Sequence, residues 1–179
     1  MLEPPTGVRA EGREAATTDP TEYDLKAVFL LRFATPYVKW QESAFESKTA
    51  PFVVAVVGKD PFGEVLDEVF AGKQVGEHPI RIVRKSSVDE LEACHMLFVP
   101  KAQEKHLERI RERLLDKHTL LVAESIAAAQ AGAHIGFYLE KSRVRFAINP
   151  AEAKSSKLEV SSELLKLAKL VEKKAELDR

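Results

Sequence analysis

The chain has 179 residues, 45% of them hydrophobic and 31% charged, enough for one globular domain with a real core. Its 27 Lys and Arg balance 28 Asp and Glu, so no basic excess is present to hold a nucleic-acid backbone. The single cysteine, Cys94, excludes an intrachain disulfide and a multi-cysteine metal site among these residues.

Residues 1–18 are rich in Pro, Gly, Thr, Glu and Ala without periodicity, and are expected to form a flexible leader. They contain no apolar stretch of the signal-peptide kind, and no run anywhere in the chain is long enough to span a bilayer. Asp19-Pro20-Thr21-Glu22 predicts a helix start, with Asp19 as N-cap and Glu22 closing a capping box. That helix is expected to run to Trp40, kinked or split by Pro36. Val28 and Phe29 widen its apolar face, so it should be covered by its own domain or by a partner.

Pro51–Gly58 is a β-branched run of the kind that forms a strand buried on both faces. Asp60-Pro61 predicts a helix over Phe62–Phe70, closed by Gly72. His78–Lys85 alternates as a second strand, with Ile80 and Ile82 on one face. A short helix after Ser87 leads to a third strand, Cys94–Val99, stopped by Pro100. Gln103–Asp116 is a helix with Leu107, Ile110, Leu114 and Leu115 toward the core. Thr119–Ala123 is a fourth strand, and Ser125–Ala131 a short helix ended by Gly132. His134–Glu140 and Arg143–Ile148 form a hairpin turning at Lys141-Ser142. Pro150 opens a helical turn, Ser161–Val171 is expected to be one amphipathic helix, and 173–179 a charged, frayed tail.

Strands and helices therefore alternate four times before a terminal hairpin and helix. The pattern predicts one α/β domain over residues 19–172, a three-layer sandwich with helices on both faces. Its sheet should be mainly parallel, of about six strands, with the hairpin as its antiparallel edge.

Chemistry is sparse. Gly58-Lys59-Asp60-Pro61-Phe62-Gly63 follows the first buried strand, where doubly wound sheets bind ligands, but it matches neither a dinucleotide fingerprint nor a phosphate loop. Glu124-Ser125 follows the fourth strand at the same end of the sheet. Gly58, Asp60, Phe62, Glu124 and Ser125 are thus the candidate lining of a small-ligand crevice. In that reading Asp60 also caps the helix after the turn; the alternatives are only a tight strand-to-helix turn at Gly58–Gly63 and a plain N-cap at Ser125. An Asp60–Glu124 pair would suit acid–base work, yet no other residue completes a mechanism, and no catalytic residue is assigned. The five histidines lack ligand spacing, so neither a metal nor a cofactor is expected. Cys94 is expected to be a small buried side chain, with His95 facing the other way on the strand. Arg143 and Arg145 fall on one face of their strand and offer a cationic stripe to a partner or a guard against edge pairing. Leu164, Leu167 and Val171 extend the terminal helix's apolar face beyond what one packing contact uses, which suggests a partner surface.

The blocks YDLKAVFLLRFATPYVKW (Tyr23–Trp40), GKDPFG, CHMLFVP and RVRFAIN…LEVSSELLKLAKLV, in this order, resemble YfiR-like proteins across residues 20–172. The resemblance implies a non-enzymatic periplasmic regulator, made with a signal peptide, that binds and represses a membrane-bound diguanylate cyclase through its periplasmic region. Cyclic-di-GMP output, biofilm formation and motility would lie downstream, and a homodimer is implied. The alternative is a small-ligand sensor working with a sensor kinase or another membrane receptor; an enzyme would need perturbed acids in a closed pocket. Two departures from the family pattern stand out. With only Cys94, a disulfide switch cannot operate within one chain, and Trp40 is followed by Gln41 where the family has proline.

Overall fold

A computed structural model describes residues 21–175. The leader expected at 1–18, Asp19-Pro20 and the end of the tail lie outside the described residues. The first helix, α1 (Glu22–Arg32), starts at Thr21. The Thr21 hydroxyl accepts the Asp24 N–H at 3.2 Å, and the Asp24 carboxylate accepts the Thr21 N–H at 2.7 Å. This reciprocal box satisfies two donors that a helix start leaves open. The cap is therefore Thr21 with Asp24 rather than Asp19 with Glu22, and Glu22 turns to Lys26 one turn on. Ala27, Leu30 and Phe33 are fully buried along one face. The helix stops well short of Trp40. Pro36 has no N–H to give and Thr35 is extended, so a wide turn over Phe33–Tyr37 releases the chain into β1 (Val38–Lys39).

The central strands are β2 (Phe52–Val57), β4 (His78–Lys85), β5 (Met96–Val99), β6 (Leu120–Ala123) and β7 (Ile135–Glu140). They pair in parallel in the order β4-β2-β5-β6-β7. Their alternation sorts side chains into two cores. Val54, Val56, Met96, Phe98, Leu120 and Val122 face α1 and α2 (Glu64–Phe70). Ala55, Val57, Leu97, Val99, Leu121 and Ala123 face α3 (Leu107–Arg113) and α4 (Ile126–Gln130). A sheet buried on both faces needs helices on both, which gives the expected three layers.

The sheet has eight strands rather than about six, because both edges are longer than the pattern suggests. On one side, β3 (Gln74–Val75) folds back antiparallel onto β4 through a turn at Gly76, whose φ is +59°. On the other, β8 (Arg143–Ile148) pairs antiparallel with β7 over six residue pairs, from Ile135↔Ile148 to Glu140↔Arg143. Lys141 and Ser142 both have positive φ, as a two-residue hairpin turn demands.

The hairpin is not the last strand. After α5 (Pro150–Ser155), capped by Asn149, the short β9 (Glu159–Val160) pairs with β1 in a separate two-stranded sheet. The expected long helix Ser161–Val171 is only α6 (Ser162–Leu167), capped by Ser161. Ala168 is extended, and β10 (Lys169–Leu170) runs parallel to β8 with Leu170 opposite Ile148. The Val171 N–H then donates to the Ile148 carbonyl at 2.9 Å. The sheet edge at Ala147-Ile148 offered unpaired backbone groups, and pairing them outweighed continuing a helix too short to hold by itself.

Candidate functional site

The carboxyl ends of the parallel strands are where open α/β sheets take ligands, and β2 and β5 straddle the point where strand order reverses. Here the chain covers that point itself. Gly58 has φ +79°, and a Cβ on it would lie 2.7–2.9 Å from the Gln103 side chain, so Gln103 rests directly on the glycine. Asp60 accepts the Phe62 N–H at 2.7 Å and pairs with the Arg84 guanidinium at 2.5 Å. It builds the turn instead of capping α2, whose N-cap is Gly63 with no side-chain bond. Arg84 also pairs with Asp67 at 2.6 Å and holds that carboxyl below its ordinary range. Phe62 is core, packed edge-on against Tyr23 and Phe98.

Glu124 and Ser125 sit at the end of β6 under a different set of contacts. Glu124 pairs with Lys26 of α1 at 2.8 Å, and these side chains are 5% and 4% exposed. Its other oxygen accepts the Lys101 N–H at 2.8 Å. Glu104 in turn accepts the Glu124 N–H and the Ser125 hydroxyl, each at 2.8 Å, while Ser125 caps α4 by accepting the Ala128 N–H. Asp60 and Glu124 thus have separate cations and form no acidic pair. The structure does not bring the Gly58–Phe62 turn and Glu124-Ser125 into one cavity. Glu124 and Ser125 instead line a shallow, open hollow with Tyr23, Lys26 and Tyr138, of about 410 Å³. Burial first, and then Glu124, push the Tyr23 phenol upward, so it stays protonated.

Lys26 is the residue of this cluster that the sequence pattern passed over. The signal was present: a lysine inside the apolar face of a helix requires a buried anion.

The proposed partner residues divide. Arg143 and Arg145 are exposed on one face of β8, with Arg145 3.6 Å from Glu140 across the strands. Leu167 is 64% exposed. Leu164 is buried in the main core and Val171 is buried beside Ala129 and Ala147, so neither offers a free surface. Leu25 and Val28 on α1, Leu139 at the end of β7 and Leu170 on β10 are further exposed apolar side chains.

Cys94 is buried in the α3-side core with its thiol pushed up to about 12 by burial, while His95 lies on the other face against Phe45 and Phe52. Among the described residues no group of His, Cys, Asp or Glu is placed to hold a metal. At the amino end of the sheet, Arg111, Glu112, His118, His134, Glu152 and Ser156 help line a cavity of about 430 Å³. These residues come from three distant segments, so no local motif announced it. Arg111 pairs with Glu152 at 3.1 Å across it.

A family model described as YfiR/HmsC-like matches residues 23–169. No curated protein matches the chain. Among solved structures the chain is similar to one titled as the ABC domain in complex with L-Trp from Streptococcus pneumonia. Identity is 11% and the TM-score 0.55, with 83% of this chain and 60% of that one covered, so the likeness concerns the fold alone.

Proposed function

The chain belongs to the YfiR/HmsC-like family, and from that membership we propose that it binds the periplasmic region of a membrane-bound diguanylate cyclase and represses it. Members of the family are periplasmic, non-enzymatic regulators of diguanylate cyclases. The observation that carries the reading is the length of the match, which runs from the first turn of α1 to the first residue of β10. Two physical features support it. The position where this fold class takes small molecules is occupied by the chain's own Gln103 and Glu104. Meanwhile Val28, Leu139 and Leu167 are exposed, and Arg143 and Arg145 present positive charge on β8. No helix among the described residues is long and apolar enough to cross a membrane. Co-purification with the periplasmic segment of a membrane-bound diguanylate cyclase from the same organism tests the proposal. Retention of that segment supports it, and none at roughly tens of micromolar contradicts it.

The cavity at the amino end of the sheet favours a second reading, a sensor of a small polar ligand. Its volume suits a molecule of amino-acid size, and Arg111 and Glu152 offer both signs of charge. The L-Trp in the solved structure of similar fold makes an amino-acid panel the natural first screen, read as a ligand-dependent rise in Tm.

A further inference from the structure

Two histidines at the amino ends of the strands make the same unusual grip. His95, just before β5, donates its own N–H to the Val53 carbonyl at 2.9 Å and accepts the Val53 N–H on Nδ1 at 3.0 Å. His134, just before β7, does the same to Leu121, at 3.0 and 2.8 Å. Each histidine thus holds both backbone groups of one residue on the neighbouring parallel strand. Accepting on Nδ1 requires that nitrogen to be bare, so each ring carries its proton on Nε2. His134 spends that proton on Ser156, at 2.8 Å. His95 spends it on the Ala44 carbonyl, at 2.9 Å, in the irregular segment between β1 and β2.

That segment is held chiefly by rings. Phe45 stacks between His95 and His78, with centroids 4.4 and 3.6 Å away. His78 also reaches the Ala50 carbonyl at 2.6 Å. Trp40, at the segment's root, donates its indole N–H to the His95 and His118 carbonyls at 3.1 and 2.9 Å. Trp40 and Phe45 line an apolar groove of about 340 Å³ with Ala34, Pro36 and Val75.

We propose that His95 is an acid-operated latch: a proton on Nδ1 breaks its ring's bond to the Val53 N–H and loosens the segment Gln41–Ala50, reshaping the groove that Trp40 and Phe45 line. A protonated Nδ1 presents an N–H to the Val53 N–H, two donors with no acceptor between them, whereas the bond to Ala44 survives. The ring then leaves the sheet with the segment. Burial, the largest influence, lowers the affinity of His95 for that proton, and His78 and His118 lower it further, while the Ala44 bond raises it. Glu42, Glu46 and Lys48 on the covered segment, and Asp116 and Lys117 beside His118, form no hydrogen bond to the ring, whose partners are Val53 and Ala44. His134 is the internal control. Its burial is deeper and its pKa falls to about 4, so it stays neutral down to lower pH. The device does not depend on the identity of the partner proposed above.

Trp40 is the only tryptophan, so its fluorescence reports the latch directly. Between pH 7.5 and 4.5 the full chain should show one transition in Trp40 emission, with a midpoint below about 6.5 and an unchanged far-ultraviolet circular dichroism spectrum. His95→Asn keeps an acceptor where Nδ1 was and cannot titrate, so it should abolish the transition; His134→Asn should leave it in place. A flat wild-type signal, or the same transition in His95→Asn, overturns the proposal. Should His95→Asn not fold, nuclear magnetic resonance of the wild type decides. The Val53 amide must shift with the His95 ring at a common midpoint, and independent behaviour of the two overturns the latch.

Discussion

Lys26 and Glu124 stand 98 positions apart in the chain, yet their charged atoms are 2.8 Å apart and both side chains are almost fully enclosed. The pair ties α1 to the carboxyl end of β6, and the Lys26 ammonium also lies 4.8 Å from the Tyr23 ring centre. Lys26→Met removes one partner of a buried pair and strands the other, which costs about 3 kcal/mol or more. Lys26→Met/Glu124→Gln leaves no stranded charge and should recover over half of that loss. Urea unfolding of the two variants separates the cases; equal loss in both would show that the charge pair is not what Lys26 supplies.

His134 is neutral in the fold, with its pKa lowered from 6.5 to about 4 by burial and by Arg111. Between those values the unfolded chain takes up a proton that the folded chain refuses, so stability falls as pH falls. The loss from this one residue begins near pH 6.5 and reaches roughly 3 kcal/mol by pH 4. His134→Asn should flatten that part of the stability profile, measured by denaturant unfolding at pH 7, 5.5 and 4.5. An unchanged slope in the variant would assign the acid sensitivity to other groups.

The central sheet was legible because β2, β5 and β6 are apolar on both faces, and only a strand between two helical layers needs that pattern. Arg143 and Arg145 were placed on one exposed face by alternation alone. What could not be read is pairing at a distance. β10 is a strand because Ala147 and Ile148 have a free edge beside it, and nothing within Lys169-Leu170 encodes that edge. Lys26 was passed over for the same reason, since its anion lies on another element. Asp60 does build the tight turn that one alternative foresaw, but it does not cap the helix after it: its carboxylate goes to Arg84, which comes from β4, the strand beside β2 in the sheet.

The C-terminal correction has a direct consequence. Val171→Asp places a charge among Ala129 and Ala147 and breaks the seat of β10, so it should destabilise by about 3 kcal/mol. Leu167→Asp, on an open surface, should change stability by less than about 0.5 kcal/mol. A long helix with a spare face through Val171 would make both changes mild.

Gly136 lies in β7 beneath the start of α4, where a Cβ would come 2.0 Å from the Ser125 carbonyl oxygen. Backbone cannot yield as a side chain can, so Gly136→Ala should displace α4 and cost roughly 3 kcal/mol. Thermal unfolding checks this, and a Tm within two degrees of wild type, read against about 2–4 °C per kcal/mol, would show that the contact relaxes freely.

Recognition of a membrane-bound diguanylate cyclase is checked by titrating the chain against the isolated periplasmic region of such an enzyme. Saturable binding with Kd below about 10 μM is expected. Arg143→Glu/Arg145→Glu should weaken that binding at least tenfold, in a variant whose Tm is unchanged. No association at roughly 50 μM with the wild-type chain would contradict it.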